Sequence, residues 1–185
     1  LTLLIKIIEK EMKKWFLLLA LALTPLMMFW SCNDDTLDEF TGYVKFSLNG
    51  QSYDYSGAVG KKTGEKFIIT TGSSQGLVTI SLEGCEKGTY KLGLGTSLDA
   101  VASFISNGLN YENLSNTVIF YPFEGEKYVI LGGSCTITES EGQIKGEFSG
   151  VACPWNNVTN LNATSLLTLI KGSNNISGSF AAYKL

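Results

Sequence analysis

The stretch Ser134-Cys-Thr-Ile-Thr-Glu139, turning through Glu141-Gly142 into Gln143-Ile-Lys-Gly-Glu-Phe148, decides the fold class. Both arms alternate apolar and polar residues, the period of a strand with one buried face. A two-residue turn at Glu141-Gly142 sets Cys135 opposite Phe148 and Ile137 opposite Gly146. Ile144, Gly146 and Phe148 then share the buried face with Cys135. A second hairpin echoes the first. Ser165-Leu-Leu-Thr-Leu-Ile170 is expected as a strand, with a turn near Ser173-Asn174-Asn175 and a return along Ile176-Ser-Gly-Ser-Phe180. Both return strands read Ile-x-Gly-x-Phe. A glycine between two large side chains leaves room for a bulky neighbour from across the sheet.

Upstream, the same period recurs. Tyr43-Val-Lys-Phe-Ser-Leu48 puts Phe46 and Leu48 on one face, and Asn49-Gly50 is a strong hairpin signal. Gln51 to Val59 reads as the return strand, with Tyr53 and Tyr55 at period two. Lys61 to Gly64 reads as a turn, Phe67 to Thr71 as a strand and Gly72 to Gly76 as a loop. Val78, Ile80 and Leu82 mark the next buried face, and Thr89 to Leu92 a short strand after the Gly84 to Gly88 turn. Val118 to Tyr121 and Tyr128 to Leu131 resume strand character. Between them Leu98, Val101, Ala102 and Ile105 stand at i, i+3, i+4, i+7, with Ser97 as N-cap and Gly108 as C-cap. This predicts one short helix, about Leu98 to Ser106. The fold expected is mainly β: a single antiparallel β-sandwich over residues 41–185 with one short helix. A lipocalin-like β-barrel, favoured by up-and-down connectivity, is the alternative.

The N-terminal region sets an expected address. Lys13-Lys14 precede the apolar run Trp15 to Trp30, and Ser31-Cys32 and Asn33-Asp34-Asp35 follow. A basic start, an apolar core and a small residue before the cut read as a secretory signal over residues 12–31. At roughly 24 Å the run is short of the ~30 Å hydrocarbon core, and Pro25 interrupts it. Residues 1–11 are expected to come from an over-extended gene start.

Composition excludes several functions. The chain has no histidine and no arginine, so the commonest general base, the commonest zinc ligand and the guanidinium fork are all missing. Four of its 14 cations and two of its 17 acids precede Cys32, leaving ten against fifteen, a net of −5. No basic stripe is present to hold nucleic-acid phosphates. Cys85, Cys135 and Cys153 have no zinc or redox spacing. At most one bridge forms among them, and at least one is expected as a small buried hydrophobe. Glu139, Glu141 and Glu147 surround one hairpin without the facing geometry of a glycosidase pair. No catalytic residue, metal site or cofactor is expected.

Phe29-Trp30-Ser31-Cys32 resembles a lipobox, which implies lipidation at Cys32 and membrane attachment through it. Asn33, Asp34 and Asp35 resemble the acidic surface-export signal of Bacteroides-group lipoproteins. Asp35-Thr36-Leu37 resembles that group's O-glycosylation motif, with Thr36 as acceptor. Residues 32–40 are then an acidic tether. Leu48-Asn-Gly50, Gly88-Thr-Tyr90 and the Ile-x-Gly-x-Phe strands are similar to β-rich surface lipoprotein domains of unknown function in that group. The resemblance implies an outer-membrane, outward-facing location and brings no activity with it. The binding candidates are Trp155 and Asn156, in the polar loop from Cys153 to Asn157, with Tyr53 and Tyr55; Tyr111 and Tyr121 are further aromatics that join the set. The expected role is a non-enzymatic binding module for a glycan or a protein partner. The alternatives are a structural or assembly subunit of a surface complex or fimbria, and a small-ligand-binding barrel.

Overall fold

The computed structural model describes residues 41–172 and 175–185. The leader, Cys32, the acidic run Asn33 to Asp35, Thr36, the rest of the tether and the Ser173-Asn174 part of the expected turn lie outside the described residues.

Asn49 and Gly50 both take positive φ, 51° and 82°, as a type I′ turn requires. They join β1 (Tyr43–Leu48) to β2 (Gln51–Ser56), with Leu48 opposite Gln51. The return strand does not run on to Val59 as expected. Gly57, at φ 77°, ends it, and β3 (Val59–Thr63) starts afresh. Lys61 to Thr63 therefore belong to a strand, and the turn falls at Gly64-Glu65. Then come β4 (Lys66–Ser73), β5 (Gly76–Leu82), β6 (Gly88–Gly93) and β7 (Thr117–Pro122). The expected loop from Gly72 to Gly76 contracts to Ser74-Gln75. β8 (Tyr128–Glu139) fuses two segments that the sequence presents separately, and β9 (Gln143–Pro154) and β10 (Ile176–Lys184) complete the set.

The strands pair in the order β2-β1-β10-β3-β4-β5-β7-β8-β6, and β9 bridges β10 and β8. Strands β10, β3, β4, β5, β7, β8 and β9 thereby close a seven-stranded barrel with extra strands β1, β2 and β6. This corrects the expected sandwich in favour of a barrel. The cause is β9, paired antiparallel along both edges: to β8 from Tyr128↔Pro154 to Glu139↔Lys145, and to β10 from Ile176↔Gly150 to Tyr183↔Gln143. Two seams are short. β10 meets β3 in parallel through Tyr183↔Val59 and Lys184↔Gly60, and β7 meets β8 through Ile119↔Val129 and Phe120↔Tyr128.

Side chains fill the interior, as small barrels require. Phe120 is at the centre of an aromatic group. Its ring centroid lies 5.2 Å from Phe46, 4.9 Å from Tyr53, 6.2 Å from Tyr55 and 6.3 Å from Tyr128. The predicted pairs Cys135↔Phe148 and Ile137↔Gly146 are present. The two Ile-x-Gly-x-Phe strands are direct neighbours, with Gly178 opposite Phe148 and Phe180 opposite Gly146. A Cβ on Gly178 would stand 2.7 Å from the Phe148 ring, and one on Gly146 would stand 2.6 Å from the Phe180 ring. Each phenylalanine thus occupies the space left by its neighbour's glycine.

Among the described residues there are three α-helices, not one: α1 (Leu98–Ser106), α2 (Trp155–Val158) and α3 (Ala163–Ile170). α3 replaces the expected strand Ser165 to Ile170. The Asn162 side chain caps it, accepting from the Ser165 amide at 2.9 Å. Ala163, Leu166, Leu167 and Ile170 carry the helical spacing. α1 has the predicted bounds but a rotated face: Val101 and Phe104 are buried and Leu98 is exposed. Ser97 makes no side-chain cap bond. Val101, Phe104, Val158, Leu166 and Ile170 pack with Val129, Leu131, Val151 and Cys153 of β8 and β9, while Ile130 and Ala152 belong to the interior core. The helices therefore cover the outer wall of the barrel, not an open end or edge. Val129-Ile-Leu131 and Val151-Ala-Cys153 are continuous apolar runs because both their faces are buried.

Candidate functional site

The start of β2, the β4–β5 turn and the loop after β7 meet around Tyr53. A cleft of about 430 Å³ opens there, with Tyr53 and Phe120 as its apolar side and Gln51, Ser74, Gln75 and Glu124 as its polar side. That volume falls within the range of small-ligand sites. Tyr53 is half-buried, its ring stacked on Phe46 at 4.8 Å and 13°, so its orientation is set by the barrel core. Phe123, 69% exposed, borders the same cleft, and its amide donates to the Gln75 carbonyl at 3.1 Å. Amide and hydroxyl groups both donate and accept. Beside aromatic surface they suit a ligand with a polar rim and an apolar face. Glu124 is the one charged residue lining the cleft.

Tyr55 is fully buried in the barrel core, and its hydroxyl has no hydrogen-bond partner. Burial pushes its pKa up, and Tyr53 adds to the rise. Ser73 opposes it without closing a bond of good geometry. Tyr55 is thus an interior residue and not a contact surface.

Trp155 and Asn156 lie elsewhere. The polar loop expected there is the end of β9 followed by α2. The Trp155 amide donates to the Lys127 carbonyl at 2.7 Å. Its half-buried ring meets Tyr111 edge-on at 5.0 Å and Phe104 at 6.3 Å. Lys127 Nζ donates to Tyr111 Oη at 2.7 Å and lies 4.1 and 4.3 Å from the Tyr111 and Tyr121 ring centroids. The two phenols are 3.3 Å apart. Burial works against the Lys127 ammonium, but bonding to Tyr111 and Tyr121 outweighs it and holds its pKa above the ordinary lysine value. The same Lys127 contact holds the Tyr121 phenol below its ordinary value. Asn156 Nδ2 donates to Glu126 Oε1 at 2.7 Å. These groups satisfy one another and pin the helical layer to the barrel wall.

The structure therefore unites Tyr53 with Tyr55, and Trp155 with Asn156, Tyr111 and Tyr121, but keeps the two sets apart. Strand β7 divides them: Phe120 faces inward to Tyr53, and Tyr121 faces outward to Tyr111. Sequence reasoning missed Gln51, Gln75, Phe123 and Lys127. Phe123 carried a signal, an aromatic in the turn segment Pro122-Phe-Glu-Gly125. The two glutamines carried none.

No family model, curated protein or solved structure matches this chain. Among the described residues, no three His, Cys, Asp or Glu side chains cluster as a metal site, and no helix is long and apolar enough to cross a membrane. Cys85, Cys135 and Cys153 are all free. Glu139 pairs with Lys145 at 2.9 Å.

Proposed function

We propose that this chain is a non-enzymatic surface module, lipid-anchored to the outer membrane through Cys32, that binds a glycan at the Tyr53 cleft. The observation carrying the reading is the composition of that cleft: aromatic side chains, two amides, a hydroxyl and an exposed Phe123 on a loop. Sugars present the same combination of apolar ring faces and hydroxyl edges. The basic start, apolar run and Ser31-Cys32 support the anchor, and Asn33-Asp34-Asp35 supports outward display.

The full chain in mild detergent would be screened by thermal shift against neutral and acidic polysaccharides. A ligand at 100 times its dissociation constant adds about 2.7 kcal/mol, a rise of roughly 5 °C or more for a domain of this size. The expected result is a rise that Phe123→Ala and Gln75→Ala reduce. Flat curves with every glycan would reject the reading. Cys32→Ala is expected to release the chain from the membrane fraction, and unchanged fractionation would reject the anchor.

A further inference from the structure

The Tyr53 cleft and two others are linked by shared lining residues, the first two by Tyr53 of the edge strand β2, whose ring faces the core while its neighbours Ser52 and Asp54 face outward. Tyr53 also borders a cleft of about 590 Å³ that includes Lys45, Ser47, Ser52 and Asp54. That cleft shares Ser177, Gly178 and Glu147 with a third, of about 300 Å³, that reaches Ser134, Thr136 and Ser149. Strand register explains the lining. Ser52 lies opposite Ser47, Ser47 opposite Ser177, Ser177 opposite Ser149, and Ser149 opposite Ser134. One serine from each of β2, β1, β10, β9 and β8 thus forms a row across the outside of the sheet. Adjacent strands are ~4.8 Å apart, so the row spans about 19 Å. Two residues along, Asp54, Lys45, Ser179, Glu147 and Thr136 form a parallel row. Lys45 and Asp54 neutralise each other at 3.0 Å, leaving Glu147 as the uncompensated charge of the second cleft and Glu124 as that of the first.

From these three linked clefts we infer that the ligand is an extended, uncharged polysaccharide chain, which enters at the Tyr53 cleft, rounds the edge of β2 and crosses β1, β10 and β9 to β8. The inference rests on the glycan-binding reading and specifies its ligand. Each hydroxyl donates and accepts, so a row at strand spacing meets a chain of sugar hydroxyls without demanding one sequence of sugars. Small side chains keep the floor low. Two unpaired carboxylates, Glu124 and Glu147, line the clefts, while among the described residues the one unpaired lysine beside the path, Lys91 opposite Ser134, stands at its far end; this balance disfavours uronate or sulfate polymers. The length of the path selects the interior of a polymer over a single sugar.

Titration calorimetry of the full chain would compare malto-, cello- and manno-oligosaccharides of increasing length with polygalacturonate and chondroitin sulfate. For one neutral series, affinity is expected to rise about tenfold or more from the short members to the long ones, which is ~1.4 kcal/mol. The acidic polymers are expected not to bind. Ser177→Trp, at an exposed outward position, is expected to remove the gain with length while leaving short-chain affinity and the melting curve intact. Ser52→Tyr at the edge strand provides a second block should Ser177→Trp fold poorly. Equal affinity for short and long members, or long-chain binding undiminished in both variants, would overturn the track and leave glycan binding at the Tyr53 cleft standing. Preference for the acidic polymers would overturn the charge argument. Binding of no glycan at all would overturn both readings together.

Discussion

Gly146 and Gly178 show how single positions hold this barrel together. Each lies opposite a phenylalanine on the neighbouring strand, and the ring fills the volume that a side chain would need. A methyl at Gly178 would meet the Phe46 Cβ at 2.6 Å as well as Phe148, and both are packed core residues. Gly178→Ala is therefore expected to lower stability by roughly 1–3 kcal/mol, read from denaturant midpoints. This feature was half legible. The repeated Ile-x-Gly-x-Phe pattern and the register of the first hairpin follow from period and turn alone. That the two repeats pair with each other does not, because their contact spans the helix α3, whose short apolar run suits a strand equally well. The cysteines are a second residue-scale case. Burial pushes Cys135 up to about 12 and Cys153 up to about 11, from an ordinary 9.0. The folded state therefore holds these protons more tightly than the unfolded one. Their contribution is complete below pH about 9 and is lost as pH rises through 11 and 12, by up to ~1.4 kcal/mol per pH unit for each thiol. A fall in melting temperature above pH 9 is expected. At neutral pH a maleimide is expected to label Cys85 of these three, and Cys135 and Cys153 only on unfolding.

At the scale of elements, local signals served strands and hairpins well and the region after β9 poorly. Asn49-Gly50 fixed its turn because the backbone geometry is set within a few residues, whereas the two-residue turn expected at Glu141-Gly142 is a longer connection from Ser140 to Gly142, with Glu139 opposite Lys145 and a register shift that restores the expected pairs from Ile137 onward. In Ser165-Leu-Leu-Thr-Leu-Ile170 a short apolar run suits either element. The helix was decided by Asn162 at its N-cap and by the apolar surface that β8 and β9 present to it. The rotation of α1 has the same origin: Phe104, not Leu98, finds that surface. Trp155 belongs to this layer. Trp155→Ala is expected to cost about 2 kcal/mol, below the 3–5 of a fully buried aromatic because its ring is half-buried. Binding at the Tyr53 cleft is expected to stay unchanged, since β7 separates the two. Loss of binding with an unaltered melting curve would instead make Trp155 part of the ligand site.

For the molecule as a whole, closure is the property that no local pattern announced. Sandwich and barrel share the same strands and the same alternation. They differ here in the pairing of β9 along both edges and in the two short seams, β10 with β3 and β7 with β8. β10 is central to this, since it pairs with β1, β9 and β3. Every one of those partners is made before it on the ribosome. Until Ile176 to Lys184 have emerged, β1 and β9 have no common neighbour and the ring stays open, however complete the hairpins behind it. Closure is therefore a late event: the hairpins before β10 can form as they emerge, but the ring is sealed only when this nine-residue strand reaches β9 and β3.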